Sequence, residues 1–239
     1  MIDAAELDRI RRLLDGVAVP TVVSLLYRKG LRGMMMQAPK PLNPAAARFI
    51  GRAFTVRTIP GREDLVEATA GGERPNLQGE ATARLGEGDV LVVGMDGESR
   101  TAFMGDIMTT HFLAKGAAGA VLDGGVSDAA AIAAIPFPVF CCGTAGTPVT
   151  SHRLVVELQA AIGCAGVPVF PGDVVFGDPN GIVVIPAHLA GEIAQAAADR
   201  EAFEAWVIAQ ARTGRPLKGL YPANDATMKE YEAWKASQG

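Results

Sequence analysis

Cysteine and histidine are scarce in this chain, with three of each among 239 residues and no Cys-x-x-Cys pair. Such a set cannot assemble a Cys/His zinc cluster in sequence. Cys141 and Cys142 are adjacent in a run with strand character, so their side chains are expected on opposite faces, as small core fillers rather than a redox pair. Positive charge is not in excess either: 22 Lys+Arg stand against 26 Asp+Glu, a net charge of −4. That balance gives no global attraction for phosphate backbones, and no direct nucleic-acid contact is expected. Long apolar runs are also missing. The longest, residues 129–142, is broken by Pro136 and Pro138 and is too short to cross a bilayer. The N-terminus is charged from residue 3 and lacks the apolar stretch of a secretory signal. These absences predict a cytoplasmic, reducing setting with no membrane partner.

What is present is an ordinary globular composition, 49% apolar and 20% charged, which excludes a disordered or collagen-like chain. One core of this size can bury most of its apolar surface, and no repeat or linker divides it. The expectation is a single domain over residues 1–239, with N-terminal helices and a C-terminal helical tail. Apolar residues at helical spacing mark 4–16, and Pro20-Thr21 opens a second helix to residue 26. Residues 30–44, rich in proline, read as irregular; 49–59 read as a strand; 71–88 read as a charged, glycine-containing segment. The chain then alternates. Strands are expected at 89–93, 120–123 and 139–142, and helices at 106–115 and 128–134, the pattern of an α/β core with parallel neighbours. Residues 173–176 and 182–185 flank Gly-Asp-Pro-Asn-Gly, a hairpin signal. Helices over 187–211 and 225–234 close the chain.

Two segments concentrate the chemistry. Gly105 and Asp106 precede the helix containing Ile107 and Met108, whose unpaired N–H groups can receive a carboxylate. Asp106 as a plain helix cap explains the same letters. The second segment, Asp123-Gly124-Gly125-Val126-Ser127-Asp128, lies at the carboxyl end of a strand, where ligands sit in open α/β sheets. The paired glycines allow a tight turn and close approach to a ligand, and Asp128 reads equally as a cap. If Asp106 and Asp128 converge, they could hold Mg²⁺ largely through waters. Lys115-Gly116-Ala117-Ala118-Gly119 lacks the ending of a phosphate loop. His111 reads as a residue of a helix face, Met34–Met36 as packing or an oligomer contact, and Thr150-Ser151 before His152 and Arg153 as a helix cap.

The runs GDVLVVGMDG, MGDIMTTHFLAKGAAGAVLDGGVSD and CAGVPVFPGDVVFGDPNGIVVIP resemble the RraA-like family over about residues 15–210. This family joins class II 4-hydroxy-4-methyl-2-oxoglutarate/4-carboxy-4-hydroxy-2-oxoadipate aldolases with regulators of ribonuclease E. The ending GRPLKGLYPANDATMKEYEAW resembles a longer-tailed subgroup. The resemblance implies a layered α/β/β/α fold with a central mixed sheet, and a trimer or dimer of trimers with sites between subunits. It implies Mg²⁺ or Mn²⁺ as cofactor and a small 2-oxo acid as substrate, cleaved or decarboxylated at a carbon–carbon bond.

The aldolase signature is an Asp, twenty intervening residues and Arg-Asp, with a further acid from a neighbouring subunit. Asp106 and Asp128 match the two aspartates. Glu204, or Glu201, matches the contributed acid, and the arginine position holds Ser127. On this pattern Asp128 anchors the metal's water, Asp106 assists it, the Ile107 and Met108 amides at the Gly105 turn receive the substrate carboxylate, and Glu204 completes the outer shell. An arginine there presents a fixed, forked cation, whereas serine offers one short neutral donor. Losing an oriented donor of this type costs a factor of roughly 10² to 10³ in rate. Three outcomes follow: a lyase whose cation comes from elsewhere, with Arg100 as candidate; a metal enzyme with a changed reaction; or a binding module like the ribonuclease regulators. The two retained aspartates favour the first two.

Overall fold

The computed structural model describes residues 2–237. Helices α1 (Ala4–Leu13) and α2 (Val19–Arg28) lead the chain. Asp3 starts α1 by accepting the Glu6 N–H at 2.8 Å, and Pro20 sits in the first turn of α2, where a missing N–H is harmless. The proline-rich stretch is not wholly irregular: β1 (Met35–Met36) and β2 (Lys40–Pro41) are short strands at the two sheet edges, where proline is tolerated.

The long strand β3 (Phe49–Pro60) follows, then helices α3 (Glu63–Ala70) and α4 (Leu77–Arg84). Part of the charged, glycine-containing segment, whose letters mark no element, is therefore α4. Asn76 caps it by accepting the Gly79 N–H at 3.0 Å, and Ala81 is its one buried residue, too sparse a pattern to declare a helix. Next come β4 (Asp89–Gly94), α5 (Asp106–Ala114), β5 (Gly119–Leu122), β6 (Gly125–Val126), α6 (Ala129–Ala134), β7 (Val139–Cys141) and β8 (Gly143–Thr144).

Thr150 and Ser151 do not cap a regular helix. They belong to a single 3-10 turn, Val149–Ser151, without a side-chain cap, and Arg153 opens strand β9 (Arg153–Leu158). Strands β10 (Ile162–Cys164), β11 (Val167–Val169), β12 (Val174–Asp178) and β13 (Gly181–Ile185) precede the long helix α7 (Ala190–Arg212) and the final α8 (Asp225–Ala236). The β12–β13 register ends at Asp178 opposite Gly181, so Pro179 and Asn180 form the turn of the expected hairpin.

The main sheet is mixed, in the order β1-β13-β12-β3-β4-β5-β7-β2, with β9 also paired to β3. Its centre, β3-β4-β5-β7, is parallel, and the flanking pairs are antiparallel. Strand alternation sorts the core into two layers. Val90, Val92, Val121 and Phe140 face α1, α2 and the first half of α7. Leu91, Val93, Leu122 and Val139 face the other way, onto Leu85 behind α4, Phe112 of α5 and Ile132 of α6. Parallel strands buried on both sides explain why 89–93 reads as an unbroken apolar run. Beyond these layers, Phe203, Trp206, Leu220 and Tyr231 form a satellite cluster that docks the tail on the second half of α7. No helix among the described residues is long and apolar enough to cross a membrane.

Candidate functional site

The site is built where two neighbouring parallel strands end. The chain leaves β4 at Gly94, runs through a loop to Met104, and turns into α5 at Gly105. The chain leaves β5 at Leu122 and reaches α6 through Asp123–Asp128. The two connections are stitched together: Phe103 N–H donates to Gly125 O and Ser127 N–H to Met104 O, each at 3.0 Å. Gln78 of α4 donates to Phe103 O at 2.5 Å and holds the same loop from the other side.

These contacts bring Ser127 and Asp128 onto the start of α5. A Cβ on Gly105 would lie 2.5 Å from Asp128 Oδ2 and 2.6 Å from Ser127 Oγ, so only glycine leaves room for them. Asp128 therefore abuts the residue immediately before Asp106. Asp128 stands at the cap position just before α6, in a left-handed conformation (φ 52°), yet its side chain makes no cap hydrogen bond. A cap does not account for it. Asp106 is not the cap of α5 either; that position is Gly105, and Asp106 Oδ1 accepts the adjacent Ile107 N–H at 2.8 Å.

The glycine pair serves the protein interior rather than a ligand. A Cβ on Gly124 would strike the Met95 sulfur, and one on Gly125 would lie 2.5 Å from Thr101 O. The expected close approach exists, but the approaching group is the Met95–Met104 loop. Of the two amides expected to receive a carboxylate, Ile107 N–H is already taken by Asp106. Met108 N–H, also in the first turn, has no partner among the described residues.

Arg100 is turned to Glu98, with its Nε 2.9 Å from Oε1, and is otherwise open to solvent. That pairing holds the Glu98 carboxyl down at about 2. Glu204 lies on α7 and accepts from Arg200 Nε at 2.8 Å and from the Tyr221 hydroxyl at 3.5 Å. Helix α7 packs on α1 and α2, across the sheet from α5 and α6, so one chain does not bring Glu204 to Asp106 and Asp128. Glu204 instead lines a groove of about 780 Å³ with Phe203, Arg200 and Tyr221. Glu201 faces Thr21 of α2 at 3.5 Å.

Asp123 opens the second of the two segments, but its letters gave it no role of its own. It is 5% exposed and accepts the Met95 and Ala165 N–H groups, the latter at 3.0 Å, so it braces the loop that leads to Gly105. Burial pushes its carboxyl above the usual range, with the two amides pulling the other way. The only sequence signal was an acid at the end of an apolar strand. Burial likewise raises all three thiols, Cys142 to about 11, which leaves them without thiolate character.

Among the described residues no three His, Cys, Asp or Glu side chains gather to hold a metal. One oxygen of Asp106 and one of Asp128 remain uncommitted beside Gly105. Mg²⁺ keeps several waters and takes one or two carboxylates, and Mn²⁺ accepts the same ligands. By chemistry, two carboxylates are a donor set for such a hydrated ion and too few for a caged one.

The family profile described as RraA-like, Aldolase/RraA, matches residues 12–184. The chain belongs to the RraA-like family. Among RraA-like relatives, a protein of Halalkalibacterium halodurans, provisionally named a 4-hydroxy-4-methyl-2-oxoglutarate aldolase, is 36% identical over 116 residues, 48% of this chain and 54% of that one. A Xanthomonas campestris protein with the same provisional name is 33% identical over 115 residues, 48% of this chain and 69% of its own. The chain spans about half the length of the curated relatives it matches first. The crystal structure of Streptomyces coelicolor RraAS2, described as an unusual member of the RNase ES inhibitor RraA family, superposes with a TM-score of 0.74. It is 29% identical and covers 86% of this chain and 96% of that one. An uncharacterised Pseudomonas syringae protein, 23% identical, shares the fold at a TM-score of 0.76 over 90% of this chain and 97% of its own.

Proposed function

We propose that this RraA-like protein is a divalent-metal-dependent carbon–carbon lyase, an aldolase or oxaloacetate-type decarboxylase, acting on a small 2-oxo acid. The observation that carries the reading is the meeting of Ser127-Asp128 with Gly105-Asp106 at the carboxyl ends of β4 and β5, with Asp128 strained and unused as a cap. Strain of this kind is kept where surrounding structure over-determines it, often at sites of chemistry.

Asp106 and Asp128 would hold Mg²⁺ or Mn²⁺, which when bound supplies Lewis-acid polarisation of the 2-oxo group. The start of α5 carries the positive end of a helix dipole, and the Met108 N–H is the donor left for the substrate carboxylate. Asp128, exposed and fixed in direction, is placed to take or return a proton at the substrate. Ser127 adds no cation, so the charge that an arginine would supply has to come from outside the Ser127-Asp128 pair.

Assembly as a homotrimer or dimer of trimers belongs to the same proposal. Ile107 beside the acids is 82% exposed, a large apolar side chain that a neighbouring copy would cover. Glu204, lying across the sheet in its own chain, would reach the acids of the next. The test is pyruvate release from 4-hydroxy-4-methyl-2-oxoglutarate and from oxaloacetate, with and without Mg²⁺. Metal-dependent release from either supports the reading, and none from both removes it. The neutral Ser127, with the likeness to RraAS2, favours one second reading, a regulator that binds a ribonuclease E-type partner. A pull-down with the C-terminal region of ribonuclease E tests it, and no retained partner counts against it.

A further inference from the structure

The role of Ser127 follows from what its hydroxyl touches. Its Oγ–H donates to Asp128 Oδ2 at 2.6 Å, and its own N–H is held by Met104 O at 3.0 Å. Both the hydroxyl and Oδ2 rest on the bare Cα of Gly105. Helix α6 makes no use of the Asp128 carboxylate, and no cation pairs with it among the described residues. Among the described residues, the serine hydroxyl is thus the one side chain that gives this exposed carboxylate a direction. It engages Oδ2 and leaves Oδ1 uncommitted.

We propose that Ser127 is a positioning residue. It seats Asp128 against Gly105 with one oxygen presented outward, in place of a residue that reaches the substrate itself. The proposal rests on the lyase reading for its purpose, and on the Ser127–Asp128–Gly105 contacts for its geometry. A serine hydroxyl and an arginine guanidinium are then not versions of one device. Serine orders the acid, whereas an arginine would place a charge against the ligand. Arginine at position 127 would take away this Oγ–H donor and put a longer, charged donor set in its place.

Two readouts separate the geometry from the purpose. The first is the Asp128 carboxyl ¹³C resonance in labelled protein, assigned through Asp128→Asn. Ser127→Ala should move that resonance, and Ser127→Thr, which keeps a hydroxyl, should restore it. The second is Mn²⁺ binding followed by electron paramagnetic resonance. Ser127→Ala should weaken it about 2- to 10-fold, the range for one lost hydrogen bond, and Ser127→Thr should stay within about twofold of wild type. An Asp128 resonance unmoved in Ser127→Ala overturns the proposal. A resonance that moves in Ser127→Ala, when the wild-type protein binds no Mn²⁺, upholds the positioning role and removes the metal-dependent lyase reading instead.

Discussion

Asp128 Oδ2 lies where a Cβ on Gly105 would come within 2.5 Å of it, so two residues from different strand ends share one van der Waals surface. The contact joins the start of α5 to the start of α6. It also sets how little change the site tolerates.

Gly105→Ala should leave the core intact and empty the site. The added methyl meets Asp128 and Ser127, both at the surface end of their segment, so they shift rather than the sheet. Overpacking of this type costs about 1–3 kcal/mol. Thermal melting should show that modest loss, while metal-dependent pyruvate release disappears. An alanine variant with wild-type turnover would show that Asp128 need not rest on residue 105.

Asp128→Asn and Asp106→Asn separate charge from shape. Asparagine tolerates the left-handed backbone at 128, so the fold should persist with stability within about 0.5 kcal/mol of wild type. Turnover should fall by about 100-fold or more, the scale on which loss of one oriented group acts. Kinetics with oxaloacetate alongside circular dichroism measure both. Retained turnover in either variant would remove that acid from the site.

The loop before Gly105 should carry an acid-side pH dependence. Arg100 holds the Glu98 carboxyl down from 4.5 to about 2. A carboxyl depressed in the folded state contributes stability above 4.5, and loses it as pH falls through 2. Denaturant titrations of wild type and Glu98→Gln should differ at pH 5, converge between 4.5 and 2, and coincide below. Arg100 is well exposed, so solvent screening keeps the difference small.

Asp123→Ala should be the most destabilising of these changes. It strips the acceptor from two amides, the buried one of Met95 and the half-buried one of Ala165. Leaving the buried Met95 amide unpaired costs about 1–3 kcal/mol, and the half-buried Ala165 amide costs less. Urea denaturation gives the loss. In wild type the same acid, raised by burial, makes stability decline as pH rises from its unfolded value through its folded one. That slope should be absent in the alanine variant.

Elements whose residues are apolar on both faces were legible in order. Strands β4, β5 and β7, helices α5 and α6 between them, and the β12–β13 hairpin fall where periodicity and turn letters put them. Helices α3 and α4 were not legible, because together they bury one residue, and only α4 carries a side-chain cap, Asn76. The short strands β1, β2, β10 and β11 were missed because two or three residues carry no period; β1 and β2 also have partners far along the chain, while β10 and β11 pair with each other across a tight turn.

The amino-acid order alone determined the α/β alternation, the family, and the candidacy of Asp106, Ser127 and Asp128, since all of these are properties of spacing and residue type. Tertiary structure decided which candidates meet. Pairing β4 with β5 brings the two aspartates to Gly105, while alternation across the same sheet puts Glu204 on the far side and the charge of Glu98 claims Arg100. Contact between segments depends on which strands lie side by side and which face each residue takes, and neither is written in any local stretch of the chain.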